Sequence, residues 1–203
     1  MNSKNSTIRL DTETRQIQIK KAVLEIISTE GLSKLSTRNV ADKIGVSEGT
    51  IFRHFKTKKA IIFGILGDVN NELIEELRLI AFSRISADKK LYNFLCANIR
   101  YLTENKGITI FLFTEAAYMN EMDLKSDLYQ ILVNQKVYIS KIVEDGINEG
   151  IWDSEINVDN FSMLYMGIPI THNIEMILSG SKFREKDFCK SMVCMLERML
   201  NKK

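Results

Sequence analysis

The sequence predicts an all-α protein built from an N-terminal helix-turn-helix unit and a larger C-terminal helical region. One proline and ten glycines in 203 residues leave few helix breakers, while helix-forming residues such as Leu, Met, Lys and Glu are abundant. Charge is unevenly distributed: residues 1–60 contain 12 Lys and Arg against 6 Asp and Glu, whereas residues 61–203 contain 16 against 20. A basic N-terminal quarter on a mildly acidic body is typical of a module that approaches phosphate groups.

The first predicted helix runs from about Thr12 to Glu30 and ends at Gly31, a residue that suits a helix stop. Its apolar residues recur at helical spacing and form a predicted buried stripe: Ile19, Ala22, Val23, Ile26 and Ile27. This helix and the next two make a three-helix unit over residues 12–55. Such a unit is too small to be robust alone, so we expect the following chain to stabilise it.

Residues 36–58, STRNVADKIGVSEGTIFRHFKTK, have the spacing of a helix-turn-helix. Two short helices are predicted, each preceded by a serine that can cap it, and Gly45 can adopt the positive φ that the turn requires. The second helix of such a motif enters the major groove of DNA. A helical hairpin within a bundle, with a solvated outer face, is the alternative. The positions predicted to face inward are Val40, Ala41, Ile44, Ile51 and Phe55.

The stretch LSKLSTRNVADKIGVSEGTIFRHFKTKKAIIFGIL, which follows a helix ending in Glu-Gly, resembles the N-terminal domain of the TetR family of transcriptional regulators. The resemblance implies a DNA-binding domain over residues 1–58 and an effector-binding and dimerisation domain over residues 59–203. It also implies a set of DNA contacts: Thr37, Arg38, Ser47, Glu48, Gly49, Thr50, Arg53, His54 and Lys58.

Several of these implied contacts have side chains that suit DNA. Arg53 is the strongest candidate for reading guanine, because its guanidinium group matches the O6 and N7 acceptors. Glu48 either accepts a hydrogen bond from cytosine N4 or repels the backbone of non-cognate DNA. Gly49 lets the protein backbone approach the DNA closely. Phe52 stands where the family often has a tyrosine whose hydroxyl bonds a phosphate. Since phenylalanine lacks that hydroxyl, we predict a packing role for it.

The C-terminal region is predicted to be a series of helices by the same apolar periodicity. Asn70 and Asn71 are weak positions in the first, and Pro169 kinks the fifth because it removes a backbone hydrogen bond. Ile151 and Trp152 are expected to fold beneath the end of the fourth, with the tryptophan as a packing anchor. The predicted ranges are 57–82, 88–104, 108–119, 121–149, 157–179 and 185–201.

Residues 108–119, ITIFLFTEAAYM, are apolar nearly all round, which predicts a helix buried at the centre of the body. Glu115 is its one side chain that is charged at neutral pH, and it is either a polar anchor for a ligand or part of an internal salt bridge. Aromatic and Met residues favour an apolar effector pocket, although core packing explains most of the same residues. The candidate ligand contacts are Tyr101, Phe111, Glu115, Tyr118, Met119, Tyr165 and His172.

The helices predicted at 157–179 and 185–201 are apolar on more than one side. A terminal helix of a soluble monomer normally exposes one polar face to solvent. The additional apolar faces therefore predict a homodimer in which these two helices pack against their copies. The last two long helices of the TetR family do this in a four-helix bundle. We therefore expect a dimer that binds a palindromic, double-stranded DNA operator. A small apolar or amphipathic effector would change the separation of the two DNA-binding heads, with repression as the family's usual outcome.

Other classes of protein have less support. The sequence has two histidines, His54 and His172, and it lacks a Gly-rich phosphate loop, a nucleophile elbow or a metal-ligand cluster. We therefore predict no enzyme, cofactor or metal site, leaving a thiol-responsive regulator or an all-α enzyme as alternatives. Cys189 and Cys194 lie five residues apart on one helix and do not face each other, which favours inert thiols. An odd cysteine count, with no membrane-length apolar run or secretory signal, predicts a cytoplasmic location.

Overall fold

The described part of the chain is helical and contains no β-strand, which confirms the predicted all-α class. The chain divides into two compact units, here called unit 1, up to Gly64, and unit 2, from Ile65. This division and the predicted domain boundary after residue 58 both fall within one helix, Lys58–Asp68. The roles assigned to the two domains remain predictions. The computed structural model describes residues 11–106, 108–119, 122–180 and 184–201.

Unit 1 contains three helices and the first part of a fourth. Of the two predicted serine caps, Ser36 caps the first motif helix, whereas the Ser47 side chain makes no capping hydrogen bond to the second. Ser36 Oγ accepts a hydrogen bond from Asn39 N at 3.1 Å, and Thr57 Oγ1 accepts from Ala60 N at 3.1 Å. Gly45 has a φ of 68°, which lets the chain turn between the two motif helices. The elements are α1 (Thr12–Glu30), a 3-10 turn (Leu32–Lys34), α2 (Thr37–Lys43), α3 (Glu48–His54) and α4 (Lys58–Asp68).

The core of unit 1 is the one that the apolar periodicity predicts. The α1 stripe is buried, Ile44 is half-buried, and the other predicted inward residues are buried. The first turns of α4 join this core at Gly64, where a Cβ atom would lie 3.1 Å from Phe55 Cε1. The predicted need of the three-helix unit for the following chain is therefore met in part by α4.

Unit 2 begins with a departure from the prediction. The helix expected over 57–82 is interrupted by a π-helical turn at Val69–Ile74, in which backbone hydrogen bonds span one residue more than in an α-helix. The turn contains Asn70 and Asn71, and the Asn70 side chain donates to the Leu66 carbonyl at 3.2 Å. The later elements are α5 (Glu75–Ala81), α6 (Ala87–Glu104), α7 (Ile108–Met119), α8 (Met122–Asn148), α9 (Val158–Ser179) and α10 (Glu185–Leu200).

The central helix of unit 2 is α6, so the prediction that α7 holds this place is wrong. Helix α6 packs against the π turn, α5, α8, α9 and α10, whereas α7 packs mainly against α8 and α9. Phe111 and Leu112 of α7 are buried, but Phe113 is 45% exposed and Tyr118 is 85% exposed. Apolar composition alone does not determine which side of a helix meets a neighbour.

Helix α6 also holds a buried ion pair that the sequence did not reveal. Lys90 is 5% exposed, and its Nζ lies 2.7 Å from Asp145 Oδ2 of α8. Lys141 binds the other carboxylate oxygen of Asp145. Burial raises the pKa of the Asp145 carboxyl, but the hydrogen bonds from Lys141 and Lys90 outweigh it and leave that pKa below its ordinary value. This cluster joins α6 to α8.

Trp152 is a packing anchor, as predicted. It is buried after the end of α8, and its backbone N–H donates to the Gly146 carbonyl at 3.2 Å. A Cβ atom added at Gly146 would lie 2.0 Å from Trp152 Cε3, so the indole occupies the space that any larger residue would need. Within the described residues, no helix combines the length and apolar character that crossing a bilayer requires.

Candidate nucleic-acid interface and effector cavity

Helix α3 presents a face away from the core of unit 1. Ile51 is fully buried, whereas Glu48, Gly49 and Arg53 are exposed and Thr50 is half-buried. Gly49 and Arg53 are four residues apart and therefore lie on the same side of the helix. The other predicted DNA contacts are also reachable: Arg38, Ser47 and Lys58 are exposed, and Thr37 and His54 are half-buried.

Glu48 has a structural partner that the sequence did not suggest. The Thr37 hydroxyl, at the start of α2, donates a hydrogen bond to the Glu48 carboxylate, at the start of α3. Ser47, beside it, makes a hydroxyl contact with Thr50 Oγ1 at 3.0 Å. The first turns of the two motif helices are therefore joined by side chains. Glu48 braces α2 against α3 in the free protein, which neither predicted role for it required.

The lysine and arginines of α2 and α3 differ in their contacts. Lys43 binds Glu25 at 3.0 Å and Glu30 at 3.4 Å, which ties α2 to α1, and the hydrogen bond to Glu25 raises the pKa of Lys43. Arg38 and Arg53 make no hydrogen bond or ion pair with any described residue. Their guanidinium groups are exposed and available to a partner outside the unit.

Two further positions define the shape of this face. A Cβ atom at Gly49 would meet only Ser47 Oγ, at 3.8 Å, within a radius of 4 Å, so the space beyond Gly49 is open. Phe52 is 44% exposed, and the prediction that it serves packing is wrong. Helix α3 has fewer than three turns, and Ile51 and the following Phe55 already fill its inward side. Phe52 therefore points towards solvent, next in sequence to Arg53.

Unit 2 contains a cavity between the π turn, α6, α7, α8 and α9. Its empty space, counted together with the open solvent at its mouth, is about 620 Å³. Most of the wall is apolar and includes Val69 and Leu73 of the π turn and Met166 of α9. The polar side chains in the wall are all neutral: Asn98, Tyr101, Thr109 and Gln135.

One of the predicted ligand contacts, Tyr101, lines this cavity. Its hydroxyl pKa is raised by burial and, secondarily, by the negative charges of Glu72 and Asp68. Tyr165 lies behind the wall, where its hydroxyl accepts from Asn98 Nδ2 at 3.2 Å. Phe94 packs against the Tyr165 ring, with centroids 5.6 Å apart.

Four more of the predicted ligand contacts lie away from the cavity wall: Phe111, Glu115, Tyr118 and His172. His172 stacks on Phe188 with ring centroids 4.3 Å apart, and burial lowers the pKa of its imidazole. Phe111 and Glu115 are buried, and Tyr118 points towards solvent. The Met119 side chain lies outside the described part of the structure. Aromatic and Met content therefore placed the cavity among the right helices but selected few of its wall residues.

Sequence reasoning missed Asn98 and Gln135, although a signal for both was present. Gln135 continues the apolar stripe of α8 that contains Leu128 and Ile131 before it and Ile139 after it. Asn98 holds the equivalent place on the stripe of α6. A polar residue at an inward position of an otherwise apolar stripe must be buried, and it therefore needs a hydrogen-bond partner.

The thiols do not form a reactive pair on α10. Cys189 is buried and Cys194 is exposed, as expected for positions that do not face each other. Burial and the neighbouring Cys96 thiol raise the pKa of Cys189, which disfavours the reactive thiolate. The described residues contain no group of three or more His, Cys, Asp or Glu side chains placed to hold a metal ion.

A helix-turn-helix with unpaired arginines, followed by a helical unit with an internal cavity, defines a helix-turn-helix transcriptional regulator. Residues 19–65 match the family model described as "Bacterial regulatory proteins, tetR family". The nucleoid occlusion factor SlmA of Vibrio campbellii is 27% identical over 143 residues, covering 67% of this chain and 70% of the relative.

Solved structures share the fold over most of the chain. The ketosteroid transcriptional regulator KstR2 of Mycobacterium tuberculosis has a TM-score of 0.74 at 15% identity, over 93% of this chain and 96% of that one. FadR from Bacillus subtilis, solved with stearoyl-CoA, has a TM-score of 0.69 at 19% identity, over 89% and 96%. The family match confirms the resemblance to TetR-family regulators over the DNA-binding unit, and the solved structures show that the fold of those regulators extends over the rest of the chain.

Proposed function

We propose that this protein is a homodimeric repressor that binds a palindromic operator and releases it when a small amphipathic effector occupies the unit 2 cavity. The observation that carries the DNA-binding part is the pair of exposed, unpaired arginines on the helix-turn-helix, Arg38 and Arg53. A guanidinium group that makes no contact within its own unit keeps all its donors for phosphate or for a guanine edge.

Each residue of the α2–α3 face has a proposed role. Arg53 reads a guanine through O6 and N7, and Arg38 binds a phosphate. Gly49 allows the backbone of α3 to lie close to the DNA, because the space beyond it is open. Glu48 acts chiefly by holding α2 against α3 through Thr37. His54, Ser47, Thr50 and Lys58 complete the proposed interface.

The proposed dimer interface lies on α9 and α10. Leu164, Ile174 and Leu178 of α9 are exposed apolar side chains, and with Gly167 and Thr171 they follow a spacing of three and four residues. Such a seam is typical of helices that pack against each other lengthwise. Helix α10 adds exposed Met195 and Met199. In the dimer, two α3 helices ~34 Å apart would fit successive major grooves.

The effector is proposed to act through the π turn. Val69 and Leu73 line the cavity, and the turn follows directly after α4, the helix that continues from the DNA-binding unit. π turns are often found at functional sites, and a shift in backbone register there would move α4. A ligand that favours one register would then favour one separation of the heads. The likeness to the stearoyl-CoA-bound FadR makes fatty-acyl compounds the first effectors to screen.

The DNA-binding proposal is tested with Arg53→Ala, measured by fluorescence anisotropy on operator DNA selected from random sequence by the wild-type protein. Losing a bidentate base contact in both protomers should weaken binding about 100-fold. Arg84→Ala is the matched control, because Arg84 of unit 2 is also exposed and unpaired among the described residues. Unchanged operator affinity in Arg53→Ala would remove α3 as the reading helix.

A further inference from the structure

We infer that the unit 2 cavity selects an uncharged amphiphile, which hydrogen-bonds to Gln135 through a neutral carbonyl group, and rejects the corresponding carboxylate. The inference rests on the proposed effector role of this cavity. Gln135 is 8% exposed, lines the cavity from α8, and makes no side-chain hydrogen bond with any described residue. The amide therefore reaches the space of the cavity, where a polar group of a ligand can hydrogen-bond to it.

Two other polar side chains of the wall share this property. The Tyr101 and Thr109 hydroxyls line the cavity, are mostly buried, and make no hydrogen bond with any described residue. Asn98 differs, since its Nδ2 is already used by the Phe94 carbonyl at 3.3 Å and the Tyr165 hydroxyl at 3.2 Å. The side chains of Gln135, Tyr101 and Thr109 therefore offer an amide and two hydroxyls. Together they can donate hydrogen bonds to one neutral head group and accept hydrogen bonds from it.

The charges around the cavity disfavour the binding of an anionic head group. None of the described residues in its wall carries a charge. Besides burial, the charges of Glu72 and Asp68 raise the pKa of Tyr101, and both charges are negative. A carboxylate placed here would lose its hydration and gain no cation, and it would also meet a field of its own sign. A neutral amide, ester, thioester or ketone avoids all three costs and still satisfies Gln135.

The apolar part of the cavity wall determines the chemical class of the ligand apart from its head group. Leu102, Ile131, Met166 and their neighbours surround the space, so the remainder of the effector is expected to be an aliphatic chain or apolar ring system. Chain-shaped probes of equal length, differing only in the head group, isolate the contribution of Gln135. Decanamide and decanoate form such a pair.

The experiment is isothermal titration of the full-length protein with each probe at neutral pH. We expect wild-type protein to bind decanamide at least about tenfold more tightly than decanoate, given the usual penalty for an unsatisfied buried polar group. Gln135→Met, an apolar side chain of similar length, should lose most of this preference. Gln130→Met is the control, because Gln130 is exposed on the same helix and bonds Asn134 at 2.9 Å.

Several outcomes would overturn the inference. They are equal or tighter binding of decanoate to the wild-type protein, no binding of either probe, and an unchanged preference in Gln135→Met. The wild-type comparison needs no variant and holds even if Gln135→Met folds poorly. Tight decanamide binding that leaves operator affinity unchanged would support the inference and contradict the effector role. If the head-group preference is absent but the proposed DNA-binding function is correct, Arg53→Ala still weakens operator binding.

Discussion

The two units differ in the solvent exposure and the pairing of their charged side chains. In unit 1 the arginines of the helix-turn-helix are exposed and unpaired, and water solvates them at little cost until a partner arrives. In unit 2 the charged Lys90 is buried and held by Asp145, and the cavity wall is neutral. A surface that binds DNA needs available cations, whereas a cavity that binds an amphiphile needs few, well-placed neutral groups. Exposure, rather than residue type, separates the two sites.

The largest effect that tests this contrast is expected at the buried ion pair. Lys90→Met leaves Asp145 buried with Lys141 as its remaining partner. We expect the free energy of unfolding to fall by about 2–3 kcal/mol, less than for a fully buried pair because Lys141 persists. Urea denaturation followed by Trp152 fluorescence measures this change. A wild-type midpoint in Lys90→Met would show that unit 2 does not depend on the pair.

The same pair makes the stability of unit 2 sensitive to acid. The pKa of Asp145 lies below its ordinary value of 3.8 in the folded protein, so the unfolded chain takes up the proton first as the pH falls. The stabilisation is complete above pH 3.8 and is lost as the pH falls through the folded pKa. We expect this acid-dependent loss to be smaller in Lys90→Met than in the wild type when unfolding is measured at neutral and acid pH.

A smaller effect, on binding rather than folding, is expected at Gly49. Gly49→Ala adds a methyl group in open space, and alanine favours helix, so the thermal midpoint should stay the same or rise. If DNA fills that space, operator affinity should fall at least about fivefold. Gly67→Ala is the matched control, since a Cβ there meets nothing within 4 Å and Gly67 lies outside the helix-turn-helix. Equal operator affinity in both variants would place Gly49 away from the DNA.

The smallest effect on stability is expected at the surface ion pair of unit 1. Lys43→Met removes the contacts with Glu25 and Glu30, but both carboxylates are well exposed and return to water. We expect no measurable change in the urea midpoint, in contrast to Lys90→Met. A loss equal to that of Lys90→Met would contradict the view that burial distinguishes the two units.

Local signals in the sequence predicted the helices and the unit 1 core well. Ser36, Gly45 and Thr57 act within a few residues of their own positions, so capping and turn chemistry could be identified without knowledge of the fold. The α1 stripe is equally local, because helical spacing alone brings its apolar residues to one side. The π turn at Val69–Ile74 was signalled only weakly, by two asparagines.

The sequence by itself determined that the chain is helical, where most of its helices begin and end, and which residues of the helix-turn-helix face its core. Only the tertiary structure decided that α6 is central, that Phe52 is exposed, and that Gln135 lines a cavity. Those properties depend on which helices meet. The sequence of a helix shows which of its sides is apolar. It does not show which neighbouring helix covers that side or where the neighbours leave a cavity.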